Sequence, residues 1–276
     1  MIKIIAIDLD GTLFDDKKNI SLENKIALKR CKELGVKIVI TTGRPFSGVK
    51  PVLDELELNS TLDYVIIYNG AKVFNIGTKE MIFSSSISGK TVKELYYESL
   101  RLNVHYHAFR LNEELITKDH NPYTDVEATI NHTKDYIYDF TMIKDDEVFI
   151  KAMLVDSKDN VSRVIRDINP KYKEEFSMVR SSDIFLEFLN KNTNKGMALE
   201  ALAKHLNVKR DEVMAIGDQD NDKSMILYAG IGVAMENAYP EVKKCANFIT
   251  LDNESSGVAY AINKFILNEK NQFKSN

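Results

Sequence analysis

Asp8-Leu9-Asp10-Gly11-Thr12 places two carboxylates two positions apart, directly after an apolar run. If extended backbone persists, both point the same way and could serve one ligand, and Gly11 lets the chain turn sharply after them. An acidic turn that merely caps a strand explains the glycine but not both acids. A second segment, Thr41-Thr42-Gly43-Arg44, ends another apolar run. A hydroxyl and adjacent N–H groups at a strand-to-helix turn can hold phosphate oxygens, and a plain helix cap accounts for the segment equally well. Lys195-Gly196 opens a helix, where a lone lysine is ordinarily just solvated. Gly217-Asp218-Gln219-Asp220-Asn221-Asp222 crowds three carboxylates, which repel one another unless solvated, capped or neutralised by a cation. Mg²⁺ suits such hard oxygen ligands, whereas Asp220 alone would suffice for an acidic helix cap. A calcium loop is excluded by the missing glycine and distant glutamate.

These segments need elements to bring them together. Residues 2–7, 36–40 and 64–68 are short, β-branched and almost free of polar groups, as strands covered on both faces are. Helices are predicted between them at 22–34, with Ile26, Leu28, Cys31 and Leu34 inward and Gly35 as stop, and at 47–57. The same rhythm returns with helices at 197–206, 224–228 and 257–267 and strands at 213–216, 231–234 and 248–250. Between the two stretches lie strand candidates at 82–87, 104–110, 115–118, 148–155, 176–180 and 184–189 and helix candidates at 91–102, 123–131 and 160–168. A hairpin turn is expected at Ser181-Ser182-Asp183. The expected architecture is α/β: a doubly wound, Rossmann-like core of residues 1–81 and 190–276, interrupted at 82–189 by an α+β insertion with its own antiparallel sheet. The polar tail 268–276 is expected to fray. In open α/β sheets ligands bind beyond the carboxyl ends of the strands, where the four segments fall.

Composition narrows the function further. Lys plus Arg (37) against Asp plus Glu (41) leaves a formal charge of -4 over 276 residues, without a basic block to attract nucleic acid or an anionic membrane. Two cysteines, Cys31 and Cys245, make no disulfide framework and suit a reducing compartment. No apolar run spans a bilayer, and Met1-Ile2-Lys3 leads directly into a strand, so a cytoplasmic protein is expected.

Jointly and in order, the four segments resemble the haloacid dehalogenase (HAD) superfamily of phosphotransferases: motif I at Asp8-Leu9-Asp10-Gly11-Thr12, motif II at Thr42-Gly43-Arg44, motif III at Lys195, and motif IV at Gly217-Asp218 with Asn221-Asp222. The insertion, with Asn69-Gly70-Ala71 and Asn194-Lys195-Gly196, is similar to the Cof-type IIB subfamily of sugar-phosphate phosphatases. Such proteins tend to have a proline and a glycine before the lysine, where this chain reads Asn190-Lys191-Asn192-Thr193; Asn192 is expected to supply the left-handed turn.

The resemblance implies an Mg²⁺-dependent phosphatase of small phosphorylated metabolites, most readily sugar phosphates. Phosphate monoester hydrolysis needs accelerations up to about 10²¹, of which acid–base catalysis supplies about 10² to 10⁴, so nucleophile, proton carrier and charge neutralisation must combine. By resemblance, Asp8 is the nucleophile that forms an aspartyl-phosphate, and Asp10 protonates the leaving alcohol and later deprotonates water. An aspartate with an ordinary pKa of about 3.9 would need an upward shift for that task. Mg²⁺ would be held by the Asp8 carboxylate, the Asp10 carbonyl and the Asp218 carboxylate, with Asp222 orienting a water or Lys195. Thr42, the Gly43 N–H, Lys195, Asn221 and the Leu9 and Asp10 N–H groups would contact phosphoryl oxygens. The insertion would be a cap that reads the leaving group, with Lys151 and Arg180 as cationic candidates on its strands.

Two alternatives remain at this point, a phosphomutase of phosphomannomutase type and a noncatalytic phosphometabolite-binding regulator. Other signals carry less. His105 and His107 share a strand face without a third ligand, and Gly230-Ile231-Gly232 lacks the third glycine of a dinucleotide site.

Overall fold

The computed structural model describes residues 1–267; the tail 268–276, for which fraying is expected, lies outside the described residues. The chain packs as two compact units. The first comprises Met1–Thr42, Pro51–Phe83 and the chain from Asn194 onward, and the second Gly43–Lys50 and Ser84–Thr193.

The first unit is built on an eight-stranded sheet in the order Phe248–Ile249, Ile231–Ala234, Val213–Gly217, Ile4–Ile7, Lys37–Thr41, Tyr64–Ile67, Lys72–Asn75, Met81–Ser84. The first six strands are parallel. The central strand Ile4–Ile7 is wholly buried, as its unbroken β-branched character demands. Register sets Ile7 beside Ile216 on one side and Ile40 on the other, so Asp8, Gly217 and Thr41 emerge together at the carboxyl rim. On one face Ile4, Ala6, Val39 and Ile66 meet Ala198, Leu199 and Leu202 of the helix Lys195–His205. The helix Leu22–Glu33 packs along Lys37–Thr41 and against the helix Gly257–Ile262. The core is therefore the doubly wound α/β type.

Local departures from the expected pattern have physical causes. In Leu22–Glu33 the buried stripe is Asn24, Ala27, Leu28 and Cys31, while Ile26 and Leu34 are more than half exposed. Asn24 turns inward because its Oδ1 accepts the Ala259 N–H at 2.9 Å, capping the partner helix. Gly35, at φ +80°, stops the helix as expected. The strand expected over 64–68 ends at Ile67, because Tyr68, Asn69 and Gly70 all take left-handed backbone and reverse the chain into an unanticipated antiparallel strand, Lys72–Asn75. The closing helix is α-helical only through Ile262, and a wider π-turn follows over Asn263–Leu267.

The second unit has its own sheet, ordered Phe176–Ser182, Phe185–Asn190, Val148–Val155, His105–Arg110, Leu115–Thr117, Asp135–Ile137. Its pairs are antiparallel except the last, which runs parallel because the helix Pro122–Ile130 supplies the crossover between them. Helices Gly89–Leu102 and Lys158–Asp167 contribute Leu95, Tyr96, Val161 and Val164 to its core. The hairpin turn falls at Asp183 and Ile184, later than expected, since the strand runs on through a register shift at Ser181 until Ser182 pairs with Phe185. Asn192 is not left-handed. Instead Asn190 makes the turn, its Oδ1 accepting the Asn192 N–H at 3.1 Å and its carbonyl the Thr193 N–H at 2.8 Å.

Candidate active site

Asp8 still belongs to the ladder: its N–H donates to the Ile216 carbonyl at 3.0 Å. The chain then winds into one wide turn, Leu9–Leu13, which Gly11 closes at φ +84°. Extended geometry thus ends at Asp8, and the two motif carboxylates separate. Asp8 is buried, whereas the Asp10 carboxylate is 37% exposed and held by Lys18 at 2.8 Å. Gly11 is required twice over, by its backbone angle and because a Cβ there would lie 2.5 Å from Asp218 Oδ2.

Lys195 stands at the start of its helix, which Asn194 caps by accepting the Met197 N–H at 2.9 Å. Its fully buried ammonium donates to Asp8 Oδ1 at 2.5 Å and to Asp222 Oδ1 at 2.6 Å. The other Asp222 oxygen accepts the N–H groups of Asp218 and Gln219, each at 3.0 Å. Asp218 Oδ1 accepts the Thr12 hydroxyl at 2.8 Å. One carboxylate oxygen from each of Asp8, Asp218 and Asp222 lies within 4.8 Å of the others. Both Asp222 oxygens are committed to protein donors, but Asp8 and Asp218 each keep an oxygen that no described group bonds. Two buried carboxylates this close together, each with a hard oxygen to spare, fit a divalent cation.

Electrostatics points the same way. Burial raises the Asp8 carboxyl well above its usual range, and the Asp222 charge adds to this while Lys195 opposes it. Asp218 is pushed up to about 7, again by burial first and Asp222 second. Burial alone would lower Lys195, yet the charges of Asp222 and Asp8 outweigh it and raise the ammonium. With three acids around one lysine, the cluster carries surplus negative charge in a dry place.

Thr42 is buried beside this rim; its N–H donates to Ile66 O at 2.9 Å and its carbonyl accepts the Asn69 N–H at 3.0 Å. Gly43 follows it in the chain and groups with the second unit. Leu9 is buried, and Asn221 is half-buried on the turn Asp220–Asp222, its Nδ2 donating to Asn69 Oδ1 at 2.9 Å. Thr12 and Asn69 as partners of the cluster were not foreseen, because they sit 206 and 152 residues from the groups they bond.

The two cations expected on cap strands fare differently. Lys151 is 1% exposed and enclosed by Glu187 at 3.1 Å and Glu127 at 3.5 Å, on a strand covered on both faces. Arg180 keeps a third of its side chain exposed and donates to the Ser162 hydroxyl at 3.1 Å and the Asp183 carbonyl at 2.9 Å. A surface cavity of about 620 Å³, lined by Lys209, Asp211, Leu227, Cys245 and Asn247 near the amino ends of the strands, contains none of the motif residues. Among the described residues no helix is long and apolar enough to cross a membrane.

A family profile described as haloacid dehalogenase-like hydrolase matches residues 5–262. A Bacillus subtilis (strain 168) protein named "Putative phosphatase YxeH" is 42% identical over 269 residues, covering 97% of this chain and 99% of that one. The crystal structure of a haloacid dehalogenase-like hydrolase from Bacteroides thetaiotaomicron superposes with a TM-score of 0.85 at 34% identity, covering 96% of this chain and 100% of that one. A structure titled as the HAD subclass IIB sugar phosphatase BT4131 gives a TM-score of 0.80 at 26% identity, covering 95% and 98%.

Proposed function

The chain belongs to the haloacid dehalogenase-like hydrolases and is a phosphoric monoester hydrolase, and from that premise we propose that it is an Mg²⁺-dependent phosphatase of small phosphorylated metabolites, sugar phosphates foremost, working through an aspartyl-phosphate. The observation that carries this reading is the free oxygen of buried Asp8, held in place by Lys195 on its other oxygen and adjacent to Asp218.

Asp8 attacks phosphorus, forming an acyl-phosphate bond as the ester P–O bond breaks. Asp10, at the more open edge of the motif, gives its proton to the departing alkoxide and then takes one from the water that cleaves the acyl-phosphate, returning Asp8 to carboxylate. Lys195 and the Asn221 amide, with Thr42 and the Gly43 and Leu9 N–H groups, take up the charge on the phosphoryl oxygens. Asp222, spent on Lys195 and two backbone N–H groups, fixes the lysine rather than binding a ligand itself. The Asp8 and Asp218 carboxylates and the Asp10 carbonyl would hold Mg²⁺, whose charge would neutralise enough of the site for an anionic nucleophile to meet an anionic ester. The second unit serves as the cap that reads the leaving group, and the cytoplasm is the expected compartment.

The test is a phosphate-release screen over sugar phosphates, nucleotides and pyridoxal phosphate, with and without Mg²⁺ and without a bisphosphate activator. Turnover should require Mg²⁺, and Asp8→Asn should lower it about 10⁴-fold or more. Tight ligand binding without phosphate release would replace the enzyme with a regulator, and dependence on a bisphosphate would replace it with a mutase.

A further inference from the structure

We propose that Asn69 is a positioning residue that decides which edge of the Asn221 amide faces the phosphoryl group; the inference rests on the phosphatase reading above. Among the described residues, Asn69 Oδ1 is the hydrogen-bond partner of the Asn221 side chain, at 2.9 Å. A primary amide carries two N–H donors and one acceptor oxygen. With one N–H committed to Asn69, the second is left to donate to a phosphoryl oxygen, and the amide oxygen is turned aside. If the Asn221 amide flipped by itself, its carbonyl would face Asn69 Oδ1 and its donors would be misplaced, so that flip is disfavoured.

Asn69 can act as a reference point because it cannot easily move. It is buried, its own N–H donates to the Thr42 carbonyl at 3.0 Å, and it occupies the middle of a left-handed run, with φ of 53°, 55° and 98° at Tyr68, Asn69 and Gly70. Non-glycine residues in this region are strained and persist where the surroundings over-determine them. At Gly70 a Cβ would come within 2.6 Å of the Asn194 carbonyl carbon, so the corner also fits closely against the residue that caps the Lys195 helix. One strained corner thereby gauges three segments, those bearing Thr42, Lys195 and Asn221. A simple reversal into Lys72–Asn75 would need neither a left-handed tyrosine nor a side chain aimed at Asn221.

The experiment measures kcat/KM on p-nitrophenyl phosphate with Mg²⁺ and the inhibition constant of inorganic phosphate, with thermal melts to confirm folding. Asn69→Gly keeps the left-handed backbone but deletes the acceptor, so kcat/KM should fall and the phosphate inhibition constant rise, each about tenfold, the loss of one oriented hydrogen bond. Asn69→Asp keeps the shape and the acceptor but adds a buried negative charge beside the phosphoryl group, so it should raise the phosphate inhibition constant at least as much as Asn69→Gly. In an Asn221→Ala background Asn69→Gly should change nothing beyond about twofold, which a merely structural role would not produce. Parent-like kinetics for Asn69→Gly, or an equal loss in the Asn221→Ala background, overturns the proposal. Should Asn69→Gly fail to fold, Asn69→Ser, whose side chain is too short to reach Asn221, replaces it in the same cycle with the same expected and overturning outcomes. Asp8→Asn in the same assay separates the two levels: if it retains turnover, the phosphatase reading fails, and if only Asn69→Gly is silent, that reading stands and this one falls.

Discussion

Each compact unit buries one lysine between two carboxylates, and the two triads have opposite meanings. Lys151 lies in the middle of a strand between Glu187 and Glu127, with the Phe109 ring 5.1 Å from its ammonium. Arg44 adds a second positive charge that acts on Glu127, so acids and cations balance. Lys195 lies at the carboxyl ends of parallel strands, and there Asp218 joins Asp8 and Asp222 as a third acid. A buried ion pair is weak evidence of function, because a balanced one can simply hold elements in register. Surplus negative charge, with carboxylate oxygens to spare, is what marks the Lys195 cluster.

The sharpest way to break this contrast is to delete each lysine. Lys195→Met should reduce turnover about 10³-fold or more, because Asp8 loses its anchor and the phosphoryl charge loses a cation. Lys151→Met should cost about 3–5 kcal/mol of stability by stranding two buried carboxylates, while turnover per folded molecule stays within about threefold. Urea unfolding paired with phosphate release measures both, and equal catalytic losses would erase the distinction.

The two regions should also answer pH with opposite signs. Asp218, raised to about 7, stabilises the fold while protonated. That contribution is complete below an unfolded pKa of about 3.9 and is lost as pH rises through the folded value. His107, in the second unit, is pushed down to about 3 by burial and then by the Lys151 charge. Its ring is held neutral between the Thr124 hydroxyl at 2.9 Å and Met153 Sδ at 3.1 Å. Its contribution is complete above an unfolded pKa of about 6.5 and is lost as pH falls toward the folded value. In chelator-treated protein, Asp218→Asn should flatten the stability slope between about pH 4 and 7, and His107→Gln should flatten the acid slope below about pH 6.5. If each substitution left its own slope intact, the assignment of the slopes would be wrong. The smallest effect belongs to Arg180→Ala, expected within about 0.5 kcal/mol in stability and about threefold in KM. A larger KM change would bring Arg180 into substrate binding.

The strands that deliver Asp8, Thr42 and Asp218 were legible because short β-branched runs ending in polar clusters leave little choice of fold. Side-chain partnerships were not legible, since they depend on register between distant segments. The Thr12 bond to Asp218 and the Asn69 bond to Asn221 have no sequence signature. Lys151 had a weak one: Phe149-Ile150-Lys151-Ala152-Met153 and Leu186-Glu187-Phe188-Leu189 are apolar runs each broken by one charge of opposite sign. Met153 sits opposite Glu187, which makes Lys151 and Glu187 diagonal neighbours. The stripe on Leu22–Glu33 was misread for a related reason, as an inward asparagine serving another helix leaves no hydrophobic trace.

The bond from Lys195 to Asp8 also bears on how the molecule matures. An ammonium tethered by the backbone cannot diffuse away, so the most crowded acids acquire a built-in placeholder as soon as the helix docks. Assembly of this rim is thereby uncoupled from the supply of dissolved ions. Under the proposed Mg²⁺ dependence, starvation for that cation would then yield a folded, idle protein, ready to be switched on without refolding.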